Sequence, residues 1–148
     1  MPEINYLAVL VAAIASMVLG FIWYGPLFGK LWMDYLKKQV PDPAEQEAMK
    51  KGMAGLYIQQ FIASLILAYV FAHVLWAFSI AMPVSDDVMS ELFMAGAQGG
   101  FWMWVGFVLP IKWGDKLWGG KKFQVLSVEL GYHLVTLMIM GIILSFWK

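Results

Sequence analysis

Four long apolar segments, separated by polar stretches rich in glycine and proline, divide this sequence. Each apolar segment has the roughly 20 residues that a helix needs to cross the hydrocarbon of a bilayer. Their apolar residues are continuous rather than alternating, which predicts helices and not the strands of a barrel. The predicted spans are residues 4–24, 56–80, 89–109 and 123–147. The pattern therefore predicts an all-α polytopic membrane protein, with a single transmembrane domain over residues 1–148.

The composition agrees with this class and excludes several others. Hydrophobic residues make up 61% of the 148 positions and charged residues only 14%, whereas soluble domains carry nearer a quarter of charged residues. A single soluble core could not bury so much apolar surface. The chain has no arginine and no basic patch, so we expect no nucleic acid partner. It has no cysteine, which excludes disulfides and thiol chemistry.

The lysines predict the orientation of the spans. All ten basic residues are lysines: five lie between the first and second spans, four lie between the third and fourth, and Lys148 ends the sequence. The connection between the second and third spans has none. Because basic loops stay on the cytoplasmic side, residues 25–55 and 110–122 are predicted to be cytoplasmic and both termini to be outside. This orientation assumes a bacterial-type or similar membrane.

A similar motif follows the first and third spans. "GFIWYGPLFGKLW" at residues 20–32 aligns without gaps with "GFVLPIKWGDKLW" at residues 106–118. One interpretation is a pair of helical hairpins related by a parallel internal repeat. The other is that each helix leaves the membrane with the same interfacial tryptophan and lysine side chains. The sequence leaves both open.

The first lysine-bearing loop contains two predicted elements. In "LFGKLWMDYLKK" the apolar residues fall near one face, which predicts a short helix lying in the membrane interface. The following Asp42-Pro43 pair is typical of a helix start, with the aspartate as N-cap and the proline at the first helical position.

Three motifs carry a family resemblance. The stretches "GFIWYGPLFGKLWM", "GFVLP" and "ELGYHLVTLMIMGIIL" resemble family 1761 of the domains of unknown function. That family consists of small prokaryotic membrane proteins with four helices. The resemblance covers nearly the whole chain and implies the same fold. It also implies that the protein lies in the cytoplasmic membrane of a prokaryote. It implies no activity, cofactor or catalytic residue.

A few polar side chains within the spans form the candidate site. Glu129 and His133 are four residues apart, so they share one face of the last helix. An ionisable residue inside a span is by default a candidate for function. The predicted intramembrane polar site comprises Glu129, His133, Gln98, Gln60, His73 and Tyr24. The alternative is structural: a protonated Glu129 that bonds His133 or a glutamine would only hold the helices together.

Metal or haem binding is a further hypothesis for the same residues. Glu129, His133 and His73 are the usual kinds of ligand. By its position in the sequence, however, His73 lies about 10 Å nearer the outside than His133. No cofactor is therefore predicted, and no catalytic residue is assigned.

Small residues recur at every fourth position in the first span and near the middle of the third. Such stripes let helices approach closely. The candidate packing residues are Ala8, Ala12, Ser16, Gly20, Gly96 and Gly100. They predict either a homodimer or close packing within one chain.

Two functional hypotheses of different classes follow. The first is a small proton-linked transporter or permeation protein that uses the Glu129–His133 pair. The alternative is a structural or accessory subunit of a larger membrane complex. A membrane enzyme with a metal or haem comes third, and the sequence identifies no substrate.

Overall fold

In the computed structural model of the protein, residues 4–81 and 89–147 are described. The connection between the second and third predicted spans lies outside the described residues. Within the described part of the chain the structure is helical and contains no strand. The helices are α1 (Tyr6–Ile22), α2 (Gly29–Gln39), α3 (Pro43–Lys51), α4 (Met53–Ala81), α5 (Met89–Met103), α6 (Leu109–Gly119) and α7 (Phe123–Phe146).

Four of the helical segments are long and apolar enough to cross a membrane, as the sequence predicts. They cover Tyr6–Leu27, Met53–Ile80, Met89–Gly119 and Phe123–Phe146. The protein is therefore an all-helical membrane protein. The third segment is longer than predicted, because residues that the sequence assigns to the second lysine-bearing loop form helix α6. Leu109 and Pro110 begin that helix, where a proline is tolerated.

Side-chain caps define two helix starts. The Asn5 side chain accepts hydrogen bonds from the backbone N–H groups of Leu7 and Ala8, at 3.0 and 3.2 Å. Asp42 likewise accepts from Ala44 N at 2.9 Å, and Pro43 occupies the first turn of α3. These bonds satisfy N–H groups that have no partner inside their own helix. The predicted start at Asp42-Pro43 is confirmed.

Helix α7 lies at the centre of the bundle and packs against α1, α4 and α5. Its Leu126 and Met140 side chains are fully buried, as is Phe71 of α4. On α1, the small residues Ala8 and Ala12 are buried in the same core. The small-residue stripe of α1 therefore faces the inside of the chain.

The backbones of α5 and α7 approach each other closely at two glycines of α5. A side chain added at Gly96 would collide with the Gly141 carbonyl and the Ser145 hydroxyl. One added at Gly100 would collide with the Leu137 carbonyl. Because glycine has no Cβ, the two helices can pack at this distance. The candidate packing residues therefore make contacts within one chain, and they do not support a dimer.

One π-helical turn ends the first membrane-spanning segment, and another interrupts the third. They cover Trp23–Leu27 and Trp104–Val108, and α2 and α6 follow them. In this arrangement Trp23 corresponds to Trp104 and Gly25 to Gly106. The alignment of the two motifs in the sequence instead pairs Gly20 with Gly106. The sequence alignment therefore has a different register from the one that aligns the two π-helical turns.

Helix α2 confirms the helix predicted from "LFGKLWMDYLKK", over slightly shifted bounds. Together, α2 and α6 form the walls of an open cleft at the end of the bundle that carries the lysine-bearing loops. We call this the lysine end. Ile4 and Trp147, the first and last described residues, lie together at the opposite end.

Candidate functional site

The carboxylate of Glu129 is the most deeply buried charged group in the described part of the chain. The residue is 6% exposed and lies on α7, two turns from the helix start at Phe123. An ionised carboxylate inside a bundle must be compensated by opposite charge and hydrogen bonds. Its partners therefore decide what the site can do.

Lys121 supplies the shortest contacts. Its ammonium Nζ donates to both carboxylate oxygens of Glu129, at 3.0 and 2.9 Å. The chain reverses between α6 and α7 at Gly120, whose φ of 65° lies in the left-handed region that glycine adopts without strain. This turn brings the Lys121 side chain back along α7 to the carboxylate.

Lys112 and Asp115, both on α6, complete a cluster of four charges. Lys112 Nζ lies 3.4 Å from Glu129 Oε2. Asp115 Oδ2 lies 3.8 Å from each of the two lysine nitrogens. The cluster has two positive and two negative groups, so it is neutral overall. Hydrogen bonding within it compensates the burial of Glu129.

Lys121 lies at the surface of the cluster, outside the membrane-spanning segments. Burial by itself lowers the pKa of its ammonium, but the hydrogen bond and the charge of Glu129 outweigh this and raise the pKa above its ordinary value. Tyr35 and Asp115 act in the same direction. Lys121 therefore stays protonated at physiological pH, and the Glu129 carboxylate keeps its counter-charge.

Two tryptophans hold α7 on either side of Glu129. The indole N–H of Trp23 donates to the Val128 carbonyl at 3.0 Å, and that of Trp104 donates to the Leu130 carbonyl at 2.9 Å. Each tryptophan is the first residue of a π-helical turn, a feature often found at functional sites. The two turns therefore tie the first and third segments to the same point of α7.

The charge cluster borders the open cleft at the lysine end. The cleft has a volume of about 1140 Å³ and lies between α2 and the α6–α7 hairpin. Lys121 and Asp115 line it, together with Tyr35 and Lys38 of the first lysine-bearing loop. The side chain of Lys121 thus joins the cleft on one side to buried Glu129 on the other.

Three of the predicted site residues lie near one another on this side of α7. His133 is one turn beyond Glu129, with its ring centre 5.2 Å from that of Tyr132. The Tyr24 ring centre lies 5.1 Å from that of Tyr132, whose hydroxyl donates to the Ser16 carbonyl at 3.2 Å. In the described part of the chain no hydrogen bond joins Glu129 to His133. The carboxylate binds lysines instead.

The other three predicted residues lie elsewhere. The side chains of Gln60 on α4 and Gln98 on α5 are exposed on the outside of the bundle. His73 Nδ1 lies 2.9 Å from the Tyr69 carbonyl, one turn earlier on α4. The sequence places Gln60 and Gln98 at depths similar to those of Glu129 and His133. In the structure, however, their side chains do not face that pair.

Reasoning from the sequence missed Lys112 and Lys121, which it used only as indicators of topology. Lys121 precedes Glu129 by eight positions, a spacing that places no two residues in contact on one helix. The available signal was the Gly119-Gly120 pair before α7, because a tight reversal there brings the adjacent lysine close to the first turns of the helix.

Metal chemistry gains no support from the arrangement. Among the described residues, no group of three histidine, aspartate or glutamate side chains is placed to hold a metal ion.

The four apolar helical segments define an integral membrane protein with four membrane-spanning segments. The chain belongs to the family described as Protein of unknown function (DUF1761), which matches residues 7–145. The resemblance noted in the sequence motifs is thereby confirmed. No match was found among curated proteins or solved structures.

Proposed function

We propose that the protein is a small proton-linked transporter or permeation protein in which Glu129 is the proton-accepting group. The observation that carries this proposal is a buried carboxylate in a membrane-spanning helix, held by a lysine that also lines an open cleft. Ionisable groups in such positions mark proton and substrate paths in transport proteins.

Lys121 acts as a tethered cation in this proposal. In the resting state its ammonium is hydrogen-bonded to both oxygens of the Glu129 carboxylate. A proton that reaches Glu129 removes the negative charge, and with it most of the attraction that holds the lysine inside the bundle. Lys121 can then turn into the cleft, which opens the way to the carboxylate. When the proton leaves Glu129, the ion pair forms again and blocks the way to the carboxylate.

The groups beyond Glu129 support a path that continues along α7. His133 follows one turn deeper, beside Tyr132 and Tyr24. These side chains can exchange protons or hydrogen-bond water. Gln60 and Gln98 have no part in this path, because both are exposed on the outside of the bundle.

The test is proton flux into liposomes that contain the purified protein and a pH-sensitive dye, driven by an imposed pH gradient. We expect flux with the unchanged protein and its reduction to the level of protein-free liposomes with Glu129→Gln. The matched control is Glu47→Gln, since Glu47 is an exposed glutamate on α3 and its replacement should leave the flux unchanged.

Two results would contradict the proposal. The first is equal flux through the unchanged protein and a correctly inserted Glu129→Gln variant. The second is an absence of flux through the unchanged protein at every gradient tested. If the protein then purified from its own membrane with stoichiometric foreign subunits, the accessory-subunit hypothesis would replace it.

A further inference from the structure

The cleft at the lysine end carries more positive than negative charge. Its charged lining consists of three lysines and two aspartates, namely Lys38, Lys121, Lys122, Asp34 and Asp115. Lys121 and Asp115 belong to the charge cluster around Glu129. Among the described residues the other three form no ion pair. The cleft therefore presents one positive charge in excess to whatever enters it.

Apolar side chains line the same cleft beside the lysines. Leu31 and Tyr35 of α2 face it from one side, and Ile111 and Trp118 of α6 face it from the other. Trp118 is 92% exposed, so no other part of the described chain covers its indole ring. Lysines next to an apolar wall are complementary to a molecule that carries an anionic group beside an apolar one.

The balance of charge in the cluster connects the cleft to protonation of Glu129. At rest Lys112 and Lys121 balance Asp115 and Glu129. A proton on Glu129 leaves the two lysines with one aspartate, and an uncompensated charge in a partly buried site is costly. An anion that enters the cleft restores neutrality. Proton binding and anion binding therefore favour each other, and this coupling is reciprocal.

We propose that the cleft binds an organic anion together with a proton on Glu129, and that such an anion is the substrate of the protein. This inference rests on the proposed function, since it names the substrate class of the same site. Lys121 turns from Glu129 to the anion, which Lys38 and Lys122 also attract. The loaded site then has the same net charge as the empty one. A cation would add to the positive charge already present.

Other titratable groups surround Glu129 and must be separated from it in any test. They lie on α6, on the turn before α7, on α7 itself, on the first π-helical turn and on α2: Lys112, Asp115, Lys121, His133, Tyr132, Tyr24 and Tyr35. His133 is the main competitor, because histidine ordinarily titrates near neutral pH.

The first experiment measures the binding of benzenesulfonate to the purified protein in a neutral detergent, by calorimetry at a series of pH values. Benzenesulfonate stays ionised throughout, so any pH dependence belongs to the protein. We expect its affinity to rise as the pH falls, with uptake of a proton on binding. Benzyltrimethylammonium, of similar size but opposite charge, should not bind. Equal affinity for the two probes, or no binding of benzenesulfonate at any pH, would overturn the proposal.

Glu129→Gln imitates the protonated carboxyl group, since both are neutral. We expect this variant to bind benzenesulfonate roughly ten-fold more tightly than the unchanged protein at neutral pH, within the usual range of coupling between sites. Its affinity should no longer depend on pH. A poorly folded variant cannot bind more tightly, so a gain is distinct from an effect on stability. A pH dependence that persists would point to His133 and contradict the role of Glu129.

Lys38→Gln tests the position of the anion with a change outside the bundle core. We expect roughly three-fold weaker binding of benzenesulfonate, as for the loss of one exposed charge contact. The matched control is Lys37→Gln, because Lys37 is the exposed neighbour of Lys38 on α2 and does not line the cleft. Equal losses at the two positions would mean that only the overall charge of the protein matters, against a site in the cleft.

An anionic lipid headgroup offers the same chemistry as a water-soluble anion. Displacement of benzenesulfonate by a short-chain phosphatidylglycerol, but not by the matching phosphatidylcholine, would assign the anionic group to a lipid. Displacement by neither would assign it to a water-soluble molecule.

Failure of this inference is distinguishable from failure of the transport proposal. Proton flux without benzenesulfonate binding would remove only the anion. Binding with the expected dependence on Glu129 but without proton flux would remove only transport.

Discussion

Replacing Gly100 with alanine is expected to destabilise the bundle by about 3 kcal/mol, the upper part of the range for overpacking a core. The added methyl group would collide with the backbone of α7 at Leu137 and Met138. Neither side can give way by a change of rotamer, because the obstacle is the main chain of a helix. The two helices would have to move apart along their closest contact.

Gly106→Ala is the control for this prediction. Gly106 lies in the π-helical turn of the same membrane-spanning segment, and an added Cβ there would meet nothing within 4 Å. The free energy of unfolding in detergent micelles, measured for both variants, makes the comparison. If Gly106→Ala lost as much stability as Gly100→Ala, the cause would be the conformation of the helix and not the contact between α5 and α7.

The second large effect is expected at Glu129. Glu129→Gln leaves the lysine charges inside the bundle without their main partner, and we expect it to cost about 3 kcal/mol, the lower end for a broken buried pair because the lysines retain some access to water. Lys121→Gln removes the opposite member. Since the two groups interact directly, the double variant should be more stable than the sum of the single losses predicts, by at least about 1 kcal/mol.

An exposed ion pair serves as the control for this cycle. Lys50 and Glu47 on α3 are 2.8 Å apart, with side chains 62% and 63% exposed. Solvent screens such pairs, so the same cycle at these positions should give a coupling near zero. Strict additivity for Glu129 and Lys121 would mean that their hydrogen bonds contribute nothing to the fold.

The membrane-spanning helices follow from the sequence because length and apolar continuity are local properties. The structure places the four segments close to the predicted ranges. The continuation of the third segment into α6 was missed, since Pro110 predicts a helix end. In the structure the proline instead lies in the first turn of a new helix after a π-helical turn.

The site was harder to predict, because it depends on which helix faces meet. The sequence singles out Glu129 by its position in an apolar span, but its partners come from a reversal at Gly120 and from another helix. Gln98 illustrates the opposite case. Its depth matches that of His133, yet it faces outwards. The depth of a residue in the membrane follows from counting positions along its helix. The direction in which its side chain points depends on how the helices pack.

The central claim is that Glu129 is an ionised carboxylate bound by lysines, and not a protonated partner of His133. Infrared difference spectroscopy between the unchanged protein and Glu129→Gln in lipid at neutral pH tests this directly. We predict that the difference spectrum shows the loss of an ionised carboxylate band, with no change where protonated carboxyl groups absorb. The loss of a protonated carboxyl band instead would contradict the lysine-paired site.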